Sequence, residues 1–493
     1  MMTDAVITIS IMIGYFVLNA CIIKVSTQKQ IDLETYAVGN RSFGVFLNAF
    51  SVVGAWYVGA VYVGWVATSA DTGVFAQYII IYSTVACIIQ YYEARPVWIW
   101  GKEYGLETEG DYIAKRYGSQ KFRWIFMTIL FIFYAPWLIV EIKALGYMVH
   151  AATYYTVGFE AAIIIGAGFV TAYTFFGGAR GTAVGGLVQG ITMGVVGVLF
   201  IYWLIYKAYG GIFDLYALVE EFKPQLLSIR ANGAPFWTSV IITCGVGGFV
   251  LPGMFYRLYM TDSPRTTKKA VLFAPLLGIL MGFLVMALGL GASFNEGFPE
   301  DSQQTSFWMA EKFGGPVGLG ILGVLGLAAS MSSIAVFMNC FAVVISKDIV
   351  APLFPKMGRD KLFKIARLST IGVGVVAMII SMFEVAQLMY FVIAIYDCCV
   401  QAFPLVFIGL FWKKANLQGA ISGFTIGSFW AVIGIFYPQA IAWAGGWTGG
   451  FIGLVCNTLA VVICGLIFGK QSHVDEMFEV LKKYKEPRSR KAI

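Results

Sequence analysis

Apolar runs long enough to cross a lipid bilayer recur along almost the whole sequence, and they restrict the fold more than any other feature. About 20 consecutive apolar residues suffice for one membrane-spanning helix. Only 12% of the residues are charged, against about 25% in a soluble protein. We therefore predict an all-α polytopic membrane protein with about 13 spans. Their predicted limits are 5–23, 44–69, 75–98, 124–149, 160–176, 183–206, 236–256, 270–292, 317–345, 368–387, 389–411, 416–437 and 447–469.

Lysine and arginine residues are concentrated in alternate loops. Most of them follow odd-numbered spans or lie in the C-terminal tail, whereas the other loops hold more aspartate and glutamate. Because cytoplasmic loops are enriched in basic residues, we predict an outside N-terminus and a cytoplasmic C-terminus, in the plasma membrane of a bacterium or archaeon. The first span follows Asp4 rather than a basic segment, so we expect a retained helix and not a signal peptide. The net charge of +7 comes mainly from the basic residues of these loops, so we do not predict a nucleic-acid partner. No obligatory protein partner is evident from the sequence.

The residues that enzymes and metal centres use most are scarce. The sequence has two histidines, His150 and His473, and its eight cysteines lie in apolar spans without a CxxC pair. Neither a zinc centre nor a disulfide framework is therefore predicted. Since no clustered catalytic motif is present either, we predict that the protein is not an enzyme.

Two predicted spans, the second and the seventh, contain helix breakers at matching places. Each glycine lowers helix propensity by about 1 kcal/mol relative to alanine, and proline lowers it by about 3 kcal/mol. Unwound backbone at membrane depth is tolerated where it is buried or lines a cavity, and such a matched pair indicates the binding site of a transporter. The alternative is that these glycines only allow close helix packing. The breakers are Gly54, Gly59 and Gly64 in span two, and Gly245, Gly247, Gly248, Pro252 and Gly253 in span seven.

Three serines lie in the middle of the ninth span, within the segment 328–333. Small residues with hydroxyl groups commonly let two membrane helices approach closely, each hydroxyl bonding back to its own helix. The alternative is a patch of oxygen atoms that faces an ion. The serine segment alone favours close packing, and the rest of the chain reverses that preference in favour of an ion.

Five motifs follow one another in a specific order. They are ARPVWIWGKEYGLETEGDYIAKRYGS after span three, TAYTFFGGARGTAVGGLVQG at spans five and six, GVGGFVLPGMFYRLYM in span seven, AASMSSIAVFMNCFAVVISKDI in span nine, and PLVFIGLFWKKANLQGAISGFTIG around spans eleven and twelve. Together they resemble the sodium/solute symporter family, in particular its sodium/proline symporter branch. The resemblance implies a leucine-transporter-type fold with two inverted five-helix repeats, each with a broken first helix.

The same resemblance divides the chain into segments. A leading helix and first cytoplasmic loop would occupy 1–43, the first repeat (spans two to six) 44–206, and the second repeat (spans seven to eleven) 236–414. Trailing helices would follow at 415–469, and a basic cytoplasmic tail at 470–493.

A site for the coupling ion Na⁺ between spans two and nine is also implied. Sodium is a hard cation that prefers oxygen, and a broken helix leaves carbonyl groups without their usual donors. Carried over by the resemblance, the ligands would be the carbonyls of Gly54, Tyr57 and Ala329 and the hydroxyls of Ser332 and Ser333.

Two positions depart from the family's pattern. Trp56 stands where the sodium/proline symporter has an aspartate, and Gly186 stands where many members have an aspartate in the fifth core helix. A second sodium site that depends on that carboxylate is therefore not expected. We predict coupling to one Na⁺.

Two acidic residues lie inside predicted spans, Glu141 in span four and Asp397 in span eleven. A charge in a membrane is costly and is a functional candidate by default, so either residue is a coupling candidate that binds a solute cation or carries a proton. The alternatives are a salt bridge for Glu141 and a carboxylate bonded to backbone for Asp397.

We expect the solute cavity beside the two breaks. Exposed helix N-termini there would favour a carboxylate, which indicates an amino acid or organic acid rather than a sugar. The predicted wall residues are Trp56, Tyr57, Phe249, Leu251, Tyr134 and Trp137.

The resulting expectation is a secondary active symporter that uses Na⁺ to import a small polar organic solute by alternating access. One alternative is a proton-coupled transporter on the same fold, with Asp397 or Glu141 as the carrier. Another is a membrane sensor that binds solute without transporting it, which the short segment after Lys470 disfavours because a kinase domain would not fit there.

Overall fold

Helices make up almost all of the regular structure in the computed structural model, which describes residues 2–26, 37–229, 233–248, 250–383 and 388–484. Within these ranges no strand is present, and Phe43 and Thr261 form an isolated β-bridge. The main-chain N–H of Phe43 donates to the Met260 carbonyl at 3.1 Å. This bridge joins the segments that flank the two broken spans.

The described residues of the first half of the chain form ten α-helices. They are α1 Met2–Ser26, α2 Val45–Trp56, α3 Val66–Thr72, α4 Tyr78–Tyr104, α5 Glu109–Tyr117, α6 Gln120–Tyr134, α7 Pro136–Ala152, α8 Phe159–Ile191, α9 Val198–Tyr209 and α10 Ile212–Phe222. Two π-helical segments continue them, Val61–Trp65 before α3 and Thr192–Gly197 before α9.

In the second half, the residues that the structure describes form twelve further α-helices, several of them short. They are α11 Ala234–Gly247, α12 Pro252–Phe255, α13 Arg257–Met260, α14 Pro264–Ala292, α15 Thr305–Val343, α16 Ala351–Leu353, α17 Arg359–Ser381, α18 Leu388–Cys399, α19 Gly409–Phe411, α20 Leu417–Phe436, α21 Gly449–Phe468 and α22 Val474–Lys483. The π-helical segment Val344–Val350 extends α15, and Pro404–Ile408 precedes α19.

Among the described residues, ten helices are long and apolar enough to cross a membrane, or eleven if one bent pair counts as a span. The predicted count of 13 is not confirmed. Predicted spans two and three both fall in the helical stretch Val61–Tyr104, within which the chain turns at Gly73 (φ 65°, ψ −135°), and predicted span five appears as the shorter apolar helix Phe159–Ala172. Polytopic membrane architecture is confirmed.

Both predicted breaks are present. In the first, α2 ends at Trp56, and Tyr57 leaves the helical conformation with φ −89° and ψ 83°. Helical structure resumes in the π-helical turn Val61–Trp65. In the second, α11 ends at Gly247, α12 begins at Pro252, and the two parts are bent by 45°. Glycine and proline in these segments weaken the helix enough for the chain to turn inside the protein.

The long helix α15 lies in the core, with 89% of its most apolar window buried inside the protein. It changes direction at Gly315, whose φ of 59° is a conformation that favours glycine. The N-terminal helix α1 packs along it, and the Thr8 hydroxyl donates to the Pro316 carbonyl at 2.9 Å. The serine segment of the ninth predicted span thus lies at the centre of the molecule.

Candidate functional site

The first helix break meets the serine segment of α15. The Ser332 hydroxyl contacts the carbonyl oxygen of Gly54 at the end of α2 and also donates to the Ala329 carbonyl at 2.8 Å. Ser332 is 1% exposed, and Ser333 and Ala329 are fully buried. Oxygen atoms from two different helices are therefore collected at one buried point, which is the arrangement that a hard cation requires.

Tyr57 lies at the end of the same helix. Its N–H still donates to Val53 at 2.8 Å, but the chain beyond it is no longer helical. The carbonyls of the last turn, from Gly54 to Tyr57, therefore lose their regular donors four residues on. The Tyr57 side chain is buried and its hydroxyl packs directly against Gly278 in α14, where a Cβ atom would overlap it.

Glu141 contacts both the break and the serine segment. The N–H groups of Gly59 and Ala60 donate to its carboxylate at 2.8 and 3.3 Å, and the Ser333 hydroxyl donates at 2.7 Å. Lys143, two residues further along α7, donates to the Phe383 carbonyl at 2.6 Å. The partners found for Glu141 are thus neutral donors at the helix break and at Ser333, rather than a basic side chain on another helix.

Helices α7 and α15 touch in two layers that are one helical turn apart. In one layer the rings of Trp137 and Phe337 are 5.8 Å apart. In the other layer Glu141 accepts from Ser333. Residues four positions apart lie on one helix face, so the polar pair lies directly beside an aromatic pair.

That aromatic pair is part of a cavity wall. Aromatic rings follow one another around the cavity, with centroid separations of 6.0 Å for Trp56–Tyr82, 5.7 Å for Tyr82–Tyr396 and 5.6 Å for Tyr396–Trp137. The described lining residues are uncharged. The remaining volume is about 20 Å³, room for the centre of little more than one water molecule. A solute therefore enters only if the walls move apart.

Four of the predicted wall residues line this cavity: Trp56, Tyr57, Leu251 and Trp137. Tyr134 is not among the lining residues. It is buried one layer behind, with its ring 5.4 Å from that of Phe337 and its hydroxyl against Gly253. The prediction for Phe249 lies outside the described residues.

Sequence reasoning missed several lining residues, among them Tyr82, Ser83 and Tyr396. The Trp56 indole N–H donates to the Ser83 hydroxyl at 2.8 Å, which orients the indole across the cavity. Phe337 was also missed, although it lies one turn beyond Ser333 on the same helix. That spacing is the signal that could have identified it.

Asp397 lies in α18 and does not line the cavity; its carboxylate contacts the start of α21. Its carboxylate accepts from the Thr448 hydroxyl at 3.2 Å and from the Gly450 N–H at 3.3 Å, and it is 5% exposed. A negative charge at a helix N-terminus is favourable. The position matches the alternative of a carboxylate bonded to backbone.

Gly186 in α8 packs closely against α2. A Cβ atom there would lie 3.3 Å from the Ser51 Cα, and a Cβ on Gly54 would lie 3.1 Å from the Gly186 carbonyl. A side chain at 186 would require α2 to shift by a few tenths of an ångström.

A buried ionic cluster, absent from the sequence predictions, joins α5 and α6 to the end of α15. Arg123 pairs with Asp111 at 2.8 Å and with Asp348 at 2.6 Å, and Lys347 pairs with Asp111 at 2.9 Å and with Glu107 at 2.5 Å. Burial by itself would raise the pKa of Asp111, but the charges of Lys347 and Arg123 outweigh it and hold that pKa below its usual value. We name these five residues the α5–α15 ionic cluster.

The site would be formed by carbonyl and hydroxyl oxygens. Within the described part of the chain, no group of three histidine, cysteine, aspartate or glutamate residues could hold a metal ion. Such an oxygen set suits an alkali or alkaline-earth cation and not a transition metal.

Comparisons with known proteins bear on both fold and family. The chain superposes on a Na⁺-coupled sialic acid symporter, solved in a substrate-bound outward-open state, with a TM-score of 0.77 at 18% identity over 94% of this chain and 98% of that one. This likeness confirms the predicted leucine-transporter-type fold class.

Two curated relatives come from Bacillus subtilis. An uncharacterised symporter, YhjB, is 24% identical over 82% of this chain and 84% of its own, and the high-affinity proline transporter PutP is 24% identical over 86% and 89%. These relatives are transporters rather than enzymes. The model of the sodium:solute symporter family matches residues 36–427, and this chain belongs to that family.

Proposed function

We propose that this protein is a Na⁺-coupled symporter that imports a small polar organic solute by alternating access. The observation that carries the proposal is the contact of the Ser332 hydroxyl with carbonyl oxygens of two helices, those of Gly54 and Ala329. With Tyr57 and Ser333 these atoms form the proposed sodium site. A cation there would hold the end of α2 against α15.

The proposed coupling follows from shared residues. Tyr57 belongs to the proposed sodium site and also lines the cavity, next to Trp56. An ion that fixes the backbone at the end of α2 therefore fixes part of the solute cavity. Solute binding in turn would favour the ion, because the coupling between two sites is reciprocal.

For the solute, we propose an amino acid first and an organic acid second. At the first break the N–H groups of Gly59 and Ala60 already donate to Glu141, so these two are not available to a solute carboxylate. Aromatic walls suit an apolar side chain or ring, and the proline transporter among the relatives supports an amino acid.

The proposal also includes the topology and organisation of the chain. The two inverted repeats would span 44–206 and 236–414, with the N-terminus outside and the C-terminus in the cytoplasm. The ionic cluster would then lie on the cytoplasmic side, in agreement with the basic loops after spans three and nine.

The test measures thermal unfolding of the purified protein as NaCl replaces choline chloride. Ligands that bind the folded state raise the melting temperature by mass action. We expect Na⁺ to raise it, and to raise it further with one of a set of amino acids, carboxylates, sugars and vitamins. The double variant with Ser332→Ala and Ser333→Ala should lose the Na⁺ response.

Ser330→Ala is the matched control for that variant. Ser330 lies on the same helix and is equally buried, but its hydroxyl contacts the Met148 sulfur at 3.7 Å rather than a proposed ligand. It should keep the Na⁺ response. An undiminished response in the double variant would refute the proposed sodium site.

The two alternatives predict different results. A proton-coupled transporter, with Asp397 or Glu141 as carrier, would take up solute in choline and respond to pH. A sensor would show Na⁺-dependent solute binding without accumulation in proteoliposomes. Uptake that collapses in choline and ignores pH supports the sodium-coupled proposal.

A further inference from the structure

We propose that Glu141 gives the sodium site its negative charge and ties that site to the first helix break. Glu141 is a positioning residue here, since it bonds to the proposed ligand Ser333 and acts on the ion through it. This inference rests on the proposed sodium-coupled function. It assigns the carboxylate a role towards Na⁺ itself, instead of binding a solute cation or carrying a proton.

The hydrogen bonds of Glu141 suit an ionised carboxylate. It is fully buried and accepts from Gly59 N–H, Ala60 N–H and the Ser333 hydroxyl. Three donors face its two oxygens, and an ionised carboxylate can only accept. All five proposed sodium ligands are uncharged oxygens, so an ionised Glu141 places a negative charge one hydrogen bond away from one of them, Ser333.

Ser333 has one hydroxyl proton and three acceptors within reach. They are Glu141 at 2.7 Å, the Ala329 carbonyl at 3.0 Å and the Ser330 carbonyl at 3.2 Å. If the proton pointed at the Ala329 carbonyl, two proposed sodium ligands would be hydrogen-bonded to each other. A proton directed at Glu141 leaves the Ser333 lone pairs free for a cation and releases the Ala329 carbonyl from Ser333. The bond to Glu141 is the shortest, and a charged acceptor makes the stronger bond.

The other two bonds of Glu141 hold the start of the helix after the break. Negative charge is favourable at a helix N-terminus, and Ala60, one of the two donors, lines the solute cavity. One carboxylate therefore holds a cavity residue on one side and an ion ligand on the other. Displacement of the helix start by solute would be transmitted to Ser333 through this side chain.

The experiment titrates NaCl against choline chloride and follows thermal unfolding of the purified protein. Glu141→Gln keeps the size of the side chain and removes its charge. We expect the half-saturating Na⁺ concentration to rise by about tenfold, within the range found when outer-shell partners of metal ligands are changed, while the maximal shift at high Na⁺ is retained. A loss of folding alone would lower the melting temperature equally at all Na⁺ concentrations.

A double-mutant cycle with Ser333→Ala tests whether Glu141 acts through that serine. In the Ser333→Ala background, Glu141→Gln should change the half-saturating Na⁺ concentration by less than about twofold, because interacting residues are not additive. If Glu141→Gln does not fold, Glu141→Asp replaces it in the experiment. We then expect a smaller rise in the half-saturating Na⁺ concentration, and we expect that rise to disappear in the Ser333→Ala background.

Asp397→Asn is the control for neutralising a buried membrane carboxylate, and it should leave the half-saturating Na⁺ concentration unchanged. Unchanged Na⁺ affinity in the Glu141 variant, or fully additive effects in the cycle, would overturn this inference while the Ser332 and Ser333 results still supported the sodium site. The absence of any Na⁺ response in the unaltered protein would instead refute the proposed function itself.

Discussion

Glu141 and Asp397 are two buried carboxylates with similar local chemistry and different surroundings. Each accepts from a main-chain N–H at the start of a helical segment, Gly59 for Glu141 and Gly450 for Asp397. Glu141 also accepts from Ser333 in α15. Asp397, in α18, accepts instead from Thr448 at the start of α21. The residue next to the proposed ion site is therefore Glu141.

The sequence identified both acids as candidates, because a charge inside an apolar span is costly. The sequence could not show which of the two acids lies next to the serine segment, since their hydrogen-bond partners lie 82, 192 and 53 residues away along the chain. Contacts at such separations depend on how helices pack, which no local pattern contains. The same limit applies to the cavity, where Tyr82 and Tyr396 come from helices that carry no break.

At the residue scale we predict that Asp397→Asn weakens the fold and leaves coupling intact. The substitution removes the charged acceptor of Gly450 and Thr448, which should cost about 1–3 kcal/mol. Thermal unfolding of the purified protein should show the loss, with Thr448→Val, which removes one of the two bonds, as a milder companion. An unchanged melting temperature together with abolished uptake would instead assign Asp397 to coupling.

At the scale of elements, the two breaks were predictable and the ionic cluster was not. Glycine and proline have low helix propensity, and their matching positions in spans two and seven predicted the two breaks, although the glycine-rich α8 remains helical. The number of spans is not confirmed, because the helical stretch Val61–Tyr104 includes a turn at Gly73 (φ 65°, ψ −135°) between predicted spans two and three. The ionic cluster unites charges that the sequence places in separate loops.

We predict that Arg123→Met strongly destabilises the junction of α5, α6 and α15. Arg123 pairs with Asp111 and with the fully buried side chain of Asp348. Removing one member of a buried pair leaves an uncompensated charge, which typically costs about 3–5 kcal/mol. The measurement is thermal unfolding at fixed Na⁺.

Lys482→Met provides the comparison for Arg123→Met. Lys482 pairs with Glu479 on α22, and both side chains are largely exposed. Its removal should leave the melting temperature unchanged because surface ion pairs contribute little. Equal effects of the two substitutions would show that the α5–α15 ionic cluster does not stabilise the junction.

For the whole molecule, the family and the fold class could be predicted from the sequence because the ordered motifs extend over most of the chain. The match of residues 36–427 and the likeness to a Na⁺-coupled symporter agree with that resemblance. The narrow cavity, about 20 Å³ in volume, could not be predicted, since it depends on side-chain positions that no local sequence pattern contains.

We predict that one Na⁺ accompanies each solute. Gly186 offers no carboxylate for a second sodium site, and its close packing against Ser51 leaves little space for one. The Na⁺ dependence of thermal stabilisation, and later of uptake, should follow a Hill coefficient of about 1. The ratio of ²²Na⁺ to solute accumulated in proteoliposomes gives an independent value, and a ratio of two or more would exclude this stoichiometry.

The buried carboxylate beside the serine segment also has an electrical consequence. On the proposed mechanism the empty carrier holds one negative charge at Glu141, and the loaded carrier is neutral at that place. Moving one elementary charge through the membrane voltage is worth about 2.3 kcal/mol per 100 mV. A cell interior at negative voltage would thus drive the return of the empty carrier to its outward-facing state and leave the loaded step almost untouched.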